Sequence, residues 1–281
     1  MEKFFTIFKG AEDVSLRLKS FTTPSVPMAL EAGDYLYVGF EKYFRTFFVG
    51  FDVLNTVAAT ISYEYFDGST WAPLVVTDET FNFTKSGFVN FVPPTNWKAT
   101  EVNGKSLIWV RISPSVDLTP TTKVSAVAIL LSCDEDLEGV RKDIVSKYNK
   151  GKAWHEKHEE ARKQIIQRIR NAGHRSVKQE LNNSSLYFGY AQTLYFDEIT
   201  EYDLLVPSEL RQAAKYLALS LIYLNELSDS NDDKFERAGK HYYALYTEAV
   251  NLFMLKLDKN DNGLEDPEES DGYTQTSLVW P

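Results

Sequence analysis

The segment that most constrains the fold is a long run of helix-forming residues from Pro207 to Leu257. Its first half, PSELRQAAKYLALSLIYLNEL, places apolar residues at helical spacing and is apolar on most of its other faces as well. The second half, DDKFERAGKHYYALYTEAVNLFMLKL, carries one broad apolar and aromatic stripe. The polar run SDSNDD between them supplies a turn and a helix N-cap. The pattern predicts an antiparallel pair of helices built for packing.

The composition of the chain argues against several classes of protein. A length of 281 residues suits two domains, and 43% hydrophobic residues provide a real core. A net charge of −10 argues against a dedicated DNA-binding surface. No apolar run approaches the roughly 20 residues that span a bilayer, so we expect no membrane partner. The single cysteine, Cys133, excludes an internal disulfide framework and indicates a reducing compartment.

Charge is unevenly distributed in the second half of the sequence. Residues 139–180 contain twelve Lys/Arg against five Asp/Glu, a net of +7. Residues 181–281 contain seven against eighteen, a net of −11. Two interpretations stay open. The segments can set the register of head-to-tail contacts between copies, or they can face each other within one fold.

The first part of the chain has the pattern of an antiparallel β protein. Short stretches rich in β-branched and aromatic residues recur between residues 35 and 132, with Gly, Pro and Asn punctuation between them. Asp67-Gly68 predicts a hairpin turn, in which Gly68 adopts a positive φ. Charged residues take over near Cys133. We therefore predict an α+β protein with two domains: an antiparallel β-sandwich over residues 1–133 and an α-helical bundle over 134–257, followed by an acidic loop and tail over 258–281.

The tryptophans of the β half have two interpretations. Aromatic faces stack on sugars, which suggests carbohydrate binding, whereas most sandwiches use such residues for packing. Trp109 lies inside a predicted strand and fits the core, while Trp71 lies at a turn and is the candidate exposed interaction residue. Arg111 is interpreted as an outward-facing strand residue. The carboxylates here are scattered rather than paired, and the chain has no activated nucleophile or phosphate loop, so we predict no enzyme.

Residues 151–171 predict a basic helix, on which Trp154, Ala161, Ile165 and Ile169 share one face. His155 and His158, three residues apart beside Glu159, have a spacing that can bind zinc. The sequence offers no further ligand cluster. A solvated helix face is therefore the favoured interpretation of the two histidines.

The run DKNDNGLEDPEE fits the calcium-loop pattern D-x-[DN]-x-[DN]-G-x5-E, with Gly263 at the sharp turn. Glu265, where an apolar residue is expected, and Pro267 oppose a second helix after the loop. The alternatives are a stand-alone calcium turn holding a structural Ca²⁺ and an acidic turn that ends the last helix. The predicted oxygen ligands are Asp258, Asn260, Asn262, Asp266 and Glu269.

Two resemblances guide the functional prediction. The run from Ser62 to Ile112 resembles a β-sandwich module of tailed-bacteriophage structural proteins, on the Tyr-Phe-Asp-Gly-Ser-x-Trp turn, the Pro93-Pro94-x-x-Trp97 step and Asn103-Gly104 before Trp109-x-Arg111. Such modules occur in baseplates, fibres and necks. The basic helix, the irregular connector and the helical pair resemble the head-completion or connector proteins of tailed phages. In these adaptors a segment like Pro207 to Ala218 begins the main buried helix.

The second resemblance implies a structural protein of the head–tail junction, assembled in the host cytoplasm. It implies a ring of copies beneath the portal, dodecameric in the family, with portal and other neck or tail proteins as partners. DNA passes through such a ring without sequence-specific binding. We also predict Trp280, near the end of the sequence, as an interaction residue that anchors in a neighbour's pocket. The alternative prediction is a baseplate or fibre-associated carbohydrate-binding protein that uses the sandwich and Trp71.

Overall fold

The chain is a mixed α+β protein with antiparallel sheets, and its contacts divide it into two compact units, Met1–Ile129 and Leu130–Pro281. The computed structural model describes residues 3–21, 23–149, 152–171, 176–179, 194–197, 199–228, 233–251, 256–258 and 263–264. The division after Ile129 falls four residues before the predicted end of the first domain at Cys133. The predicted domain limits themselves stay a prediction.

Unit 1 contains a seven-stranded antiparallel sheet, here sheet A, in the order β2-β1-β4-β11-β6-β7, with β10 also paired to β11. Its long central strand β11 is antiparallel to β4 on one side and to β6 on the other. The strands of sheet A are β1 (Thr6–Lys9), β2 (Glu12–Asp13), β4 (Leu36–Phe40), β6 (Ile61–Phe66), β7 (Trp71–Pro73), β10 (Thr100–Val102) and β11 (Lys105–Pro114).

Unit 1 also contains a five-stranded antiparallel sheet, here sheet B, in the order β3-β12-β5-β9-β8. Its central strand β5 is buried along its first six residues, consistent with a sequence that is apolar on both faces. A single short helix, α1 (Ser15–Leu18), lies between β2 and β3. The strands of sheet B are β3 (Val26–Pro27), β5 (Thr46–Val53), β8 (Val76–Asp78), β9 (Gly87–Phe91) and β12 (Lys123–Ala128).

The core of unit 1 is strongly aromatic. Phe44 lies 5.4 Å from Trp97 and 5.6 Å from Phe91, measured between ring centroids. Trp97 is fully buried, and its Nε1–H donates to the Trp109 carbonyl oxygen at 3.2 Å. Trp109 is also fully buried, which confirms the prediction that it belongs to the core. Ring pairs of this kind add about 0.5–1.5 kcal/mol each beyond their buried area.

Gly39 on β4 makes room for the Trp109 ring on β11. The two residues are directly opposite each other in the antiparallel register. A Cβ atom placed on Gly39 would lie 2.3 Å from the Trp109 ring carbons, well inside van der Waals contact. The sheet therefore accepts the indole at this point only because Gly39 has no side chain.

The turn between β8 and β9 contains three successive residues with positive φ, namely Phe81 (49°), Asn82 (59°) and Phe83 (67°). Residues other than glycine adopt this conformation at an energetic cost. The Asp78 carboxylate offsets part of it by accepting from Thr80 N at 2.8 Å and from Asn82 N at 3.1 Å. Phe83 is buried while Phe81 remains 62% exposed. The turn thus anchors one aromatic side chain in the core and presents another to solvent.

Unit 2 is built mainly from helices that share one apolar core. The core includes Ile165 and Ile169 of α3, Leu217 of α4 and Tyr246 of α5. The longer elements in chain order are α2 (Asp134–Val140), α3 (His155–Asn171), β13 (Ser176–Gln179), β14 (Leu194–Asp197), α4 (Arg211–Leu221) and α5 (Asp233–Asn251). Strands β13 and β14 form an antiparallel pair within the segment predicted to be irregular.

The predicted helical pair is present, with different ends. Pro207–Leu210 forms a 3₁₀ turn, and the α-helix begins only at Arg211. Residues Ile222–Leu227 continue α4 as a π-helical turn. Gly239 lets α5 approach this turn closely, because an added Cβ would lie 2.5 Å from Leu224 Cγ. No helix among the described residues is long and apolar enough to cross a membrane.

Candidate functional site

Trp71, the predicted interaction residue of the β half, begins β7 opposite Phe66 on β6. It is partly buried rather than free at a turn. Its ring centroid lies 5.9 Å from those of Phe66 and Tyr37. Strands β4, β11, β6 and β7 bring these residues to one face of sheet A, because their positions are aligned in the register. The sequence predicted the residue but not its aromatic neighbours.

Arg111 stands at the centre of the same face. Its guanidinium carbon lies 4.4 Å from the Tyr35 ring centroid and 4.5 Å from that of Trp71. Its Nε and Nη2 both donate to Glu64 Oε2, at 2.8 and 2.7 Å. The Arg111 side chain is only 16% exposed, so the interpretation as a simple outward-facing residue is incomplete. We call this set the aromatic shelf: Tyr35, Tyr37, Glu64, Phe66, Trp71 and Arg111.

The environment of the aromatic shelf keeps the Tyr37 hydroxyl neutral. Burial raises the pKa of Tyr37, and the neighbouring charge of Arg111 only partly opposes this effect. Tyr37 therefore retains its proton across the physiological range and can donate a hydrogen bond. The shelf combines ring faces with a carboxylate, a guanidinium and hydroxyls. Such a combination can stack on a flat apolar surface and hydrogen-bond to polar groups at its edge.

His158 of α3 lies in the core of unit 2 and not on the solvent-exposed helix face that the sequence suggested. Its side chain is fully buried, so the solvated helix face predicted for it is incorrect. The residue is four positions after Trp154 and three before Ala161, which puts it on the apolar stripe of α3. Its Nδ1 lies 2.8 Å from Ser132 Oγ and its Nε2 lies 3.1 Å from Asp134 Oδ1. Within the described part of the chain, no group of three or more His, Cys, Asp or Glu residues is placed to hold a metal.

The Ser132–His158–Asp134 chain has the residue types of a hydrolase triad but a different arrangement. In a catalytic triad the serine contacts Nε2 and the aspartate contacts Nδ1, whereas here the two nitrogens are exchanged. Ser132 is 1% exposed, so a substrate carbonyl has no access to its hydroxyl. With Nε2–H donating to Asp134, Nδ1 accepts from Ser132. This arrangement clamps residues 132–134 to α3.

Asp134 is the charged end of that clamp. Its carboxylate also accepts from Trp154 N at 3.0 Å, just before α3 begins. Burial raises the pKa of Asp134, but the hydrogen bonds from His158 and from Trp154 N outweigh it, so the net pKa is lowered. The carboxylate is therefore ionised at neutral pH and stabilises both the buried imidazole and the first turn of α3.

The neighbouring residues add a second polar link. Asp136 Oδ1 accepts from Arg211 Nε at 2.8 Å, which ties α2 to the start of α4. The second oxygen of Asp136 accepts from Cys133 N at 2.9 Å and caps α2. Burial, with the charge of Asp136, raises the pKa of the Cys133 thiol to about 12. The only cysteine of the chain is therefore a packing residue and stays protonated.

A groove, here the α3–α5 groove, runs between the last turns of two helices of unit 2. Helix α3 contributes Gln164, Gln167, Arg168 and Asn171, which lie on one stripe. Helix α5 contributes Tyr243, Tyr246, Thr247 and Asn251. The Arg168 guanidinium stands 5.4 Å from the Tyr246 ring centroid. Burial raises the pKa of Tyr246, with Arg168 acting in the opposite direction. Sequence reasoning missed this groove because its polar lining resembles an ordinary solvated surface.

Only part of the predicted calcium loop lies within the described residues. Asp258 is buried, its N–H donates to the Asp203 carbonyl at 3.1 Å, and its Oδ2 accepts from Gly263 N at 2.8 Å. Gly263 has φ +74°, as the predicted sharp turn requires. The other four predicted ligands, Asn260, Asn262, Asp266 and Glu269, lie outside the described residues, as does Trp280.

Comparison with known proteins adds no relative: no family model, no curated protein and no solved structure matches the chain.

Proposed function

We propose that the chain is a structural protein of a tailed-phage virion that works by packing rather than by chemistry. In this proposal it is a head-to-tail connector that forms a ring beneath the portal. Unit 1 is a β-sandwich module that projects outward or contacts neighbouring proteins, and unit 2 is a helical bundle that forms the ring. The resemblances of Ser62 to Ile112 and of the helical half are the basis for this assignment.

The observation that carries the proposal is the packing of α4. Residues Ala213, Ala214, Leu217 and Ala218 are all 2% exposed or less, within a core shared with α3 and α5. They belong to the segment Pro207 to Ala218, on which the adaptor resemblance rests. Small residues at these positions allow neighbouring helices to approach closely. A buried central helix leaves the flanking helices available for contacts between copies.

The partners proposed are further copies of the chain, the portal protein and other neck or tail proteins. The basic segment 139–180 and the acidic segment 181–281 would set the register between copies in the ring. DNA would pass through the ring without sequence-specific contacts. The proposed place of work is the head–tail junction of the virion, after assembly in the host cytoplasm.

Electron microscopy of disrupted virions labelled with an antibody to this chain tests the proposal. We expect label at the head–tail junction. Image averaging of the labelled necks would then give the number of copies, which the family resemblance puts at twelve. Label at the tail tip or on fibres would reject the connector assignment and favour the second candidate function.

The second candidate is a baseplate or fibre-associated protein that binds carbohydrate, and the aromatic shelf favours it. Trp71 is held between Phe66, Tyr37 and Arg111, so little conformational entropy is lost when a sugar stacks on it. Glu64 and Arg111 supply a fixed acceptor and donor next to the ring. Stacking of a sugar ring on such a residue exploits its large, rigid apolar face.

For this second function, Trp71→Ala is expected to weaken binding to a host glycan extract about 5- to 30-fold, because a lost stacking contact is worth roughly 1–2 kcal/mol. Phe81→Ala, at an exposed aromatic residue elsewhere in unit 1, is the matched control and should leave glycan binding unchanged. Measurement is by glycan-array fluorescence with circular dichroism to verify folding. Equal binding by the wild type and Trp71→Ala would contradict carbohydrate recognition by the shelf.

Calcium binding by the 258–269 loop is proposed as a structural addition to the helical unit. We expect isothermal titration calorimetry to detect a single Ca²⁺ site, with Mg²⁺ binding much more weakly because it tolerates the loop geometry less well. Glu269→Gln should abolish the heat of binding by removing the bidentate ligand, whereas Asp271→Asn, outside the motif, should not. Identical titrations for Glu269→Gln and the wild type would identify the loop as an acidic turn.

A further inference from the structure

The α3–α5 groove has a lining suited to a peptide. Gln164, Gln167, Asn171 and Asn251 present carboxamides, and a carboxamide both donates and accepts hydrogen bonds as a peptide backbone does. Gln167 Nε2 already donates to Asn171 Oδ1 at 2.8 Å, so the α3 side of the lining is ordered in advance. An extended chain can pair with such a row without demanding a particular sequence.

The groove is also electrostatically distinct from the rest of an acidic protein. Among the described residues that line it, Arg168 is the one with a charged side chain, and the neighbouring Glu160 accepts from Gln164 Nε2 at 3.3 Å. Tyr243 is 50% exposed, and its ring centroid lies 5.6 Å from that of Tyr246. An occupant with an aromatic residue and without Lys or Arg therefore fits better than a basic one.

One segment of the chain has this chemistry and lies outside the described residues. It is the C-terminal segment, Glu265–Pro281, which reads EDPEESDGYTQTSLVWP. Its first seven residues contain five acids and no Lys or Arg. The polar run Tyr273–Ser277 follows, and Trp280 provides the aromatic anchor.

The base of this segment is fixed to unit 2. Gly263 donates to Asp258, and Asp258 N donates to the Asp203 carbonyl. The 17 residues after Leu264 reach up to about 56 Å when extended. Asp258 follows the groove residue Asn251 by seven residues, so the two lie no more than about 25 Å apart and the groove is within reach. Tethering also gives the segment a high effective concentration, about millimolar for a short linker.

We propose that the α3–α5 groove binds the chain's own C-terminal segment, Glu265–Pro281, with the polar run Tyr273–Ser277 along the carboxamides and Trp280 against Tyr243. The tail is then a removable cover of the groove. The inference concerns the isolated chain and does not depend on where in a virion the protein works.

Cross-linking in the full-length chain tests the proposal. One cysteine replaces Gln167 in the groove and a second replaces Thr276 in the tail, and a short bismaleimide joins them. The native Cys133 does not interfere, because it is buried with a pKa raised to about 12. The matched control pairs Glu156→Cys with Thr276→Cys. Glu156 is exposed on the same face of α3 but lies eleven residues away, about 16 Å along the helix.

The expected result is an intramolecular product at Gln167→Cys in about tenfold greater yield than at Glu156→Cys. Trp280→Ala should reduce that yield about fivefold while circular dichroism stays unchanged. Equal yields at the two helix positions would overturn the proposal, since an undocked tail reaches both. Cross-linked dimers in place of the intramolecular product would also overturn it and assign the groove to the tail of a second copy.

Discussion

Replacing Gly39 by alanine is expected to destabilise unit 1 by about 3 kcal/mol, at the upper end of the range for overpacked cores. The new methyl group would lie 2.3 Å from the Trp109 ring. That ring cannot move aside, because it is fully buried and its Nε1–H donates to the Thr100 carbonyl at 2.9 Å. Phe8 and Tyr37 pack against it, with centroids 5.7 and 6.3 Å away. Strand β4 or β11 must therefore shift.

Urea unfolding followed by tryptophan fluorescence measures this effect, since Trp71, Trp97 and Trp109 all lie in unit 1. Gly139→Ala is the matched control. An alanine Cβ at Gly139 meets nothing within 4 Å, and alanine favours the helix it lies in by up to about 1 kcal/mol. We expect Gly139→Ala to be neutral or slightly stabilising. Equal stability of the two variants would mean that strands β4 and β11 have room for a methyl group between Gly39 and the Trp109 ring.

Asp134→Ala is expected to destabilise unit 2 by about 2–4 kcal/mol. The substitution removes the acceptor of two donors, His158 Nε2–H and Trp154 N–H. Each donor left unpaired in a buried position costs roughly 1–3 kcal/mol. Asp134→Asn keeps one acceptor oxygen and should therefore destabilise unit 2 less than Asp134→Ala does. Glu138→Ala on the exposed side of α2 is the control and should stay within about 0.5 kcal/mol of the wild type.

The pH dependence of the same variant gives an independent test. The folded-state pKa of Asp134 is lowered, so its contribution is fully present above the unfolded value near 3.8. That contribution is lost as the pH falls from there through the folded pKa. The difference in unfolding free energy between wild type and Asp134→Ala should therefore shrink below about pH 4, as the carboxylate becomes protonated. A difference that persists at low pH would show that the carboxylate charge contributes nothing.

Local patterns predicted much of the fold. The hairpin at Asp67-Gly68 is confirmed: Asp67 N donates to the Thr70 carbonyl, and Gly68 has φ +103°. Turn chemistry of this kind is decided by neighbouring residues, so the sequence is sufficient. The buried stripe of α3 is confirmed for the same reason, since Ala161, Ile165 and Ile169 are buried at helical spacing.

Long-range pairing was not predictable in the same way. The aromatic shelf depends on Arg111 lying beside Glu64, 47 residues earlier, and beside Tyr37 on the opposite strand. A shift of one residue in either register would send Arg111 to the other face of the sheet. The single sequence predicts strands but not which strands become neighbours, so Trp71 was identified without its partners.

His158 shows a different kind of failure, because its signal was present in the sequence. Its spacing to Trp154 and Ala161 places it on the apolar stripe, yet its polar character suggested solvent. The missing information was its partner: Ser132 lies 26 residues earlier, beyond the predicted domain boundary. The π-helical turn at Ile222–Leu227 was hidden as well, since one extra residue per turn leaves a continuous apolar pattern almost unchanged.

The turn at Phe81–Phe83 has a backbone of left-handed conformation. Three successive L residues there adopt backbone angles that are intrinsic to the mirror-image amino acids. In a semisynthetic chain, D-asparagine at position 82 would meet its preferred conformation at a site where the natural enantiomer does not. Among natural residues, proline, whose φ is fixed near −65°, and the β-branched valine, isoleucine and threonine are the least tolerated at these three positions. A library randomised at positions 81 and 82 should accordingly be enriched in glycine and asparagine and depleted of β-branched residues, whereas Phe83 is retained because it is buried.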